Sequence, residues 1–185
     1  MEAALLEAAD KLLETEGPDA LSVRRIAAAA GVAPMGVYNH FSSKFGIVEA
    51  LFEQGFERLR EAVTSAGPNE DPLEDLREVG RRYRALALAH PMTYQLMFLR
   101  AVPGYEPSAH AQEVAAKAFE ALAAKVRRAM DAGALQEAPE LDTAQQIWSA
   151  VHGSVSLELM GHGFVEDPAE GFDQVCASML RGLSP

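Results

Sequence analysis

Residues 22–52, SVRRIAAAAGVAPMGVYNHFSSKFGIVEALF, restrict the fold more tightly than any other stretch. Ser22 precedes Val23, Ile26, Ala27 and Ala30, which fall on one face at helical spacing, and its hydroxyl suits an N-cap. Gly31 stops that helix, because glycine takes positive φ without a Cβ penalty. Pro34 suits the first turn of a second, short helix, where its missing N–H costs nothing. Ser42 and Ser43 end it and cap a third helix beginning at Lys44. Two helices around a glycine turn form the helix-turn-helix pattern, whose second helix fits the DNA major groove.

At about 100° per residue, Val37 and Phe41 face a small core with Ile26 and Ala27. Met35, Gly36 and Asn39 lie opposite, free for base edges. Tyr38 and His40 flank them within reach of phosphates. Arg24 and Arg25 point away from the core, near the same face. Lys44 beside a helix N-terminus is a natural phosphate site. The stretch resembles the DNA-binding domain of the TetR family of one-component transcriptional regulators. The residues carrying the resemblance are Ile26-Ala27, Gly31-Val32, Val37-Tyr38, His40-Phe41 and Lys44, then an apolar helix through Val48, Leu51 and Phe52. The resemblance implies phosphate contacts from Ser22, Arg24, Tyr38, His40 and Lys44, and base contacts from Pro34, Met35, Gly36 and Asn39. The family's recognition helix often has a polar residue near its start, whereas this one opens Ala33-Pro34-Met35-Gly36. Thymine-methyl contacts and DNA shape are then expected to carry more of the specificity.

Charge argues the other way. The chain has a formal net charge of −11, and its first 62 residues hold six Lys or Arg against ten Asp or Glu. A basic domain is the usual footprint of DNA binding. The field at the contact face decides the matter, and Arg24, Arg25 and Lys44 all lie near it. Modest affinity and a shallow salt slope are expected. The lone Cys176 excludes an intrachain disulfide and fits a reducing cytoplasm. The N-terminus, MEAALLEAAD, has acids where a signal peptide has cations, and no run is long and apolar enough to span a membrane. A cytoplasmic protein is expected.

The rest of the chain reads as helices and short loops. An amphipathic helix over 2–16 backs the helix-turn-helix. The helix from Lys44 runs to about Val63, and residues 64–72 read as a surface loop. Asp71, Pro72 and Glu74 combine N-cap, first-turn proline and capping-box acid. His90-Pro91 separates that helix from a shorter one. The longest helix spans roughly 108–132, Asp142 with Gln145 starts the next, and the last begins near Pro168. The fold class is therefore all-α: a three-helix helix-turn-helix headpiece over 1–47, joined to a helical ligand-binding and dimerisation domain over 48–185.

In IWSAVHGSVSLELMGHG, Trp148, Val151, His152, Val155 and Leu159 share one face. Ala150, Gly153, Ser154, Leu157 and Gly161 lie roughly opposite, so both sides need cover. Phe172, Val175, Cys176 and Met179 stripe the final helix. Two adjacent helices with spare apolar faces suggest a four-helix interface with a symmetry mate. The Trp-x-x-x-His-Gly spacing, with HPMTYQLMF, resembles a recurring C-terminal class of TetR-type regulators, in which the last two helices commonly dimerise. A dimer would present two recognition helices about 34–36 Å apart to a pseudo-palindromic duplex operator. Tyr83, Tyr94, Met97, Phe98, Phe119, Leu122, Trp148 and His152 are the candidate lining of a pocket for a small apolar effector, with ordinary core packing as the competing reading.

His152, Glu158 and His162 form too thin a ligand set for a metal, and no metal or cofactor is expected. SAVHGSVSLE holds serines, a histidine and an acid on one helix, not aimed at a shared centre. No phosphate loop or nucleophile elbow occurs, so no enzyme is expected. The expectation is a homodimeric transcriptional repressor released by a small, mostly apolar ligand, repression following from the resemblance alone. The alternative is a helical dimerisation module or small all-helical enzyme without DNA binding.

Overall fold

A computed structural model describes residues 1–65 and 70–185. Every regular element among them is helical: α1 (Glu2–Glu16), α2 (Val23–Ala29), α3 (Pro34–Tyr38), α4 (Lys44–Thr64), α5 (Pro72–Ala89), α6 (Pro91–Phe98), α7 (Ala109–Asp131), α8 (Glu140–Leu159) and α9 (Pro168–Leu183), with a 3-10 turn at Pro18–Ala20. The middle of the expected 64–72 loop lies outside the described residues. The chain forms two compact units. One comprises Met1–Glu57 with His90–Ala115, the other Arg58–Ala89 with Ala116–Pro185.

The first unit is built on Leu5, Ala9 and Leu13 of α1, spaced four apart and fully buried with Ile26, Val37, Val48 and Leu51. Each large side chain among them contributes roughly 1.5–3 kcal/mol by leaving water. Leu96 and Val102 complete this core, so the α6 region packs with the N-terminal helices. Gly55 of α4 permits this packing. A Cβ there would lie 2.6 Å from Met97 Sδ and 3.0 Å from Thr93 Cγ2.

The second unit buries Leu76, Val79 and Tyr83 of α5, Val126 and Ala129 of α7, Ile147, Val151 and Val155 of α8, and Phe172, Cys176 and Leu180 of α9. Asp71 caps α5 by accepting from the Leu73 N–H at 2.9 Å. Glu74 does not close the expected capping box. It accepts from Arg81 at 2.8 Å and Arg77 at 3.2 Å, and the Arg81 hydrogen bond chiefly holds its carboxyl below the usual range. The α8 start also differs from expectation: Pro139 stands at the N-cap, and Asp142 lies within the first turn. Asp167 caps α9 by accepting from the Ala169 and Glu170 N–H groups.

One acid is deeply buried. Asp75 is 2% exposed, and its carboxylate accepts from Lys125 Nζ at 2.9 and 3.0 Å and from Arg128 Nη1 at 2.7 Å. Burying a carboxylate requires such partners.

Candidate nucleic-acid interface

The helix-turn-helix geometry follows from local chemistry. Ser22 Oγ accepts from the Arg25 N–H at 3.4 Å, starting α2. Gly31 takes φ +69°, and its N–H bonds to Ala28 O while the Val32 N–H bonds to Ala27 O. This double bond is the Schellman ending that a glycine at that position allows. Ala33 then stands extended before Pro34, and α3 runs five residues. Ser43 Oγ accepts from the Gly46 N–H at 3.3 Å, setting the start of α4.

Burial separates the α3 side chains as the helical wheel does. Val37 is fully buried and Phe41 nearly so, while Met35 is 68% and Tyr38 53% exposed. Pro34, Asn39 and His40 are exposed, and Gly36 and Lys44 are half-buried. Arg24 is exposed. Arg25 is exposed too, but already engaged: its Nη2 lies 2.5 Å from Glu16 Oε2 of α1. His40 Nδ1 stands 3.8 Å from Glu2. Acids of α1 thus stand beside two of the candidate DNA-binding groups, Arg25 and His40. Glu16 sits nine residues before Arg25, a separation that no helical periodicity marks as a contact.

The candidate pocket residues divide between the units. In the first, the Tyr94 and Phe98 rings lie 5.0 Å apart, and Phe98 meets Phe56 edge-on at 5.3 Å. Met97 belongs to the same helix. In the second, Tyr83 Oη and His152 Nδ1 lie 2.7 Å apart in a hydrogen bond. Trp148 lies 5.4 Å from the His152 ring and 6.1 Å from Phe119. Leu122 is buried in that unit's core. Burial pulls the His152 pKa below 6.5, favouring a neutral imidazole that can pair with the Tyr83 hydroxyl. Glu158, weighed above as a metal ligand, is held by Arg84 through Nε at 2.8 Å and Nη2 at 2.5 Å.

The expected interface residues also separate. Gly153, Leu157, Gly161 and Val175 are exposed, and Ala150, Ser154 and Met179 half-buried. Phe172 and Cys176 are corrected: they are 2% and 3% exposed inside their own subunit. Gly80 of α5 admits them, a Cβ there falling 3.4 Å from Cys176 Sγ and 3.5 Å from Phe172 Cζ. Burial raises the Cys176 thiol to about 11. The sequence reading also passed over Met160, Phe164 and Val165. Phe164 is wholly exposed, and the other two are more than half exposed.

Residues 5–51 match the tetR family of bacterial regulatory proteins, and residues 76–179 match the tetracyclin repressor-like C-terminal domain. The chain belongs to the TetR family. It is a DNA-binding transcriptional regulator, and the family and its relatives are regulators, not enzymes. An HTH-type transcriptional regulator of Mycobacterium bovis, Mb1846, is 24% identical over 205 residues, covering 94% of this chain and 88% of that protein. A Rhodococcus sp. RHA1 protein of unknown function superposes with a TM-score of 0.88 at 26% identity, over 99% of this chain and 95% of the other. The TetR family regulator PfmR of Thermus thermophilus shares the fold, with a TM-score of 0.72 at 24% identity, over 98% of this chain and 99% of its own. No helix among the described residues of this TetR-family regulator is long and apolar enough to cross a membrane.

Proposed function

We propose that this regulator is a homodimeric repressor that holds a pseudo-palindromic operator and is released by a small, mostly apolar ligand. The observation that carries the dimer is the end of α8 and the turn after it. There Leu157, Met160, Phe164 and Val165 are exposed, beside Gly153 and Gly161, around which a Cβ would meet nothing within 4 Å. Apolar side chains concentrated on so acidic a chain mark a surface that another surface covers. Small residues among them let a second helix approach closely.

In this reading Ser22, Arg24, Tyr38 and Lys44 hold phosphates, while Pro34, Met35, Gly36 and Asn39 face bases. The aromatic group of Tyr83, Phe119, Trp148 and His152 supports the effector reading. It combines flat apolar area with one hydrogen-bonding pair, the usual make-up of a small-molecule wall. An effector acts only through unequal affinity for the operator-bound and free states.

The test is fluorescence anisotropy on duplexes tiled from the DNA flanking the protein's own gene, and on the rest of its genome if none binds. Wild type and Lys44→Ala are compared at two salt concentrations. The expected result is one preferred site, bound by a dimer, with affinity lowered across sequences by Lys44→Ala. Binding of that site by a monomer, or binding indifferent to Lys44, would overturn the assignment.

A further inference from the structure

Outside the helix-turn-helix, the first unit gathers three potential metal ligands. Asp10 and Glu14 stand one turn apart on α1, and His90 stands at the N-cap of α6. One ligand atom from each lies within 4.8 Å of the others, and all three residues are half-buried. The surrounding bonds show how the group is held. His90 does not cap α6 with its side chain. Glu14 does so from α1, accepting the Met92 N–H at 3.1 Å and the Thr93 N–H at 2.8 Å. Thr93 Oγ1 donates to Asp10 at 3.3 Å. The His90 ring is thereby released from the task its position would normally give it.

A second observation points to a ligand. His90 Nδ1 is buried and has no hydrogen-bond partner. A buried ring nitrogen without a partner is unfavourable. A cation held by one ring nitrogen and the two carboxylates would fix the half-buried ring and offset the negative charge together. Capping leaves Glu14 able to coordinate, because a carboxylate offers about four lone-pair sites and two N–H groups take two. Three atoms within 4.8 Å of one another share a point at most about 2.8 Å from each. Small side-chain rotations bring that to the ~2.0–2.2 Å of zinc bound by imidazole and carboxylate. One nitrogen with two oxygens suits borderline first-row divalent ions better than calcium or magnesium, which favour all-oxygen shells.

We propose that Asp10, Glu14 and His90 form a site for a divalent first-row transition cation, which would clasp α1 to the start of α6. The ion would have three protein ligands and water in the remaining positions.

The test uses the full-length chain stripped with chelator. Zinc is titrated by calorimetry, and cobalt(II) serves as a visible-absorbance probe of the coordination shell. The expected result is one equivalent per chain, weakened at least tenfold by His90→Ala and by Asp10→Asn. Glu14 stays intact because its carboxylate caps a helix. His110→Ala and His152→Ala are the controls, expected to bind as wild type. Circular dichroism confirms that each variant is folded, and a misfolded His90→Ala is replaced by His90→Gln. Zinc is also expected to raise the melting temperature of the wild type but not of the His90 variant. Absence of saturable binding, or binding undiminished in a folded His90 variant, would leave the cluster a capping network only and overturn the site.

Discussion

Glu16 restrains DNA binding, if Arg25 lies where the helix-turn-helix puts it. The pair joins α1 to α2, with Arg25 Nη2 2.5 Å from Glu16 Oε2 and the two side chains 47% and 46% exposed. An ion pair that open to water contributes roughly 0–1 kcal/mol to folding, so Glu16→Gln should leave the protein folded. On DNA the arithmetic differs. With Arg24 and Lys44 as the cations free to replace counterions, a dimer engages about four phosphates, and log K should fall with log salt at a slope near −4. Releasing Arg25 adds about one phosphate per protomer, which steepens the slope by roughly 1.8. At about 0.1 M salt each new contact would tighten binding up to about eightfold. Ordering a long side chain returns about 0.5–1.5 kcal/mol of that. The net expectation is an affinity gain of up to about tenfold at low salt, shrinking as salt rises, with the steeper slope as the firmer readout. Anisotropy on the preferred operator across a salt series measures both quantities. Glu120→Gln, an exposed position in the second unit, is the control for the same change in net charge. Equal slopes in Glu16→Gln and Glu120→Gln would refute the reasoning and remove Arg25 from the phosphate contacts.

Asp75→Ala would take from Lys125 and Arg128 the buried carboxylate they share, and breaking a buried pair costs about 3–5 kcal/mol. The half-buried Arg128 puts the lower end in view, so thermal melting should shift down by about 6–12 °C; a shift below about 1 °C would show the triad to be dispensable. His152 gives a pH dependence. Its pKa is lowered in the folded state by burial, so the unfolded chain takes the proton first, and stability should fall as pH drops below about 6.5. Urea midpoints should show that loss in wild type and less of it in His152→Gln; parallel profiles would exclude His152 as the source. Leu157→Glu or Phe164→Ser should convert dimer to monomer in sedimentation at micromolar concentration, and a variant that stays dimeric would place the interface elsewhere.

The local grammar of the chain was legible, because each signal rests on a few adjacent residues. Ser22, Gly31, Pro34 and Pro168 mark helix ends through their own local chemistry, and each does so in the structure. Val37 and Met35 separate into buried and exposed by helical rotation alone. What escaped was pairing across sequence distance. Nothing in the sequence near Asp75 announces Lys125, fifty residues on. Nothing in the sequence around Gly55 of α4 announces that Met97 and Thr93 leave no room for a Cβ there. Phe172 and Cys176 fit an apolar stripe equally well whether the cover is α5 or a second subunit, and only the bare edge of Gly80 decides it.

The acidic composition and the DNA-binding fold are reconciled at the same level. Net charge governs long-range attraction, but within a Debye length of about 10 Å the local arrangement of charges dominates. Arg24, Tyr38 and Lys44 stand at the helix-turn-helix face, while Glu16 and Glu2 sit beside Arg25 and His40. Acids placed there would weaken the sequence-independent hold on phosphates without touching the α3 residues proposed to face bases. A lost phosphate contact lowers operator and nonspecific affinity by a similar factor, and nonspecific binding, almost wholly electrostatic, has nothing else to hold it. The same acids that obscured the function in the composition would then loosen the hold on bulk DNA and leave discrimination to the base contacts. Glu16→Gln should therefore raise affinity for random duplex at least as much as for the operator, and a gain confined to the operator would contradict this account.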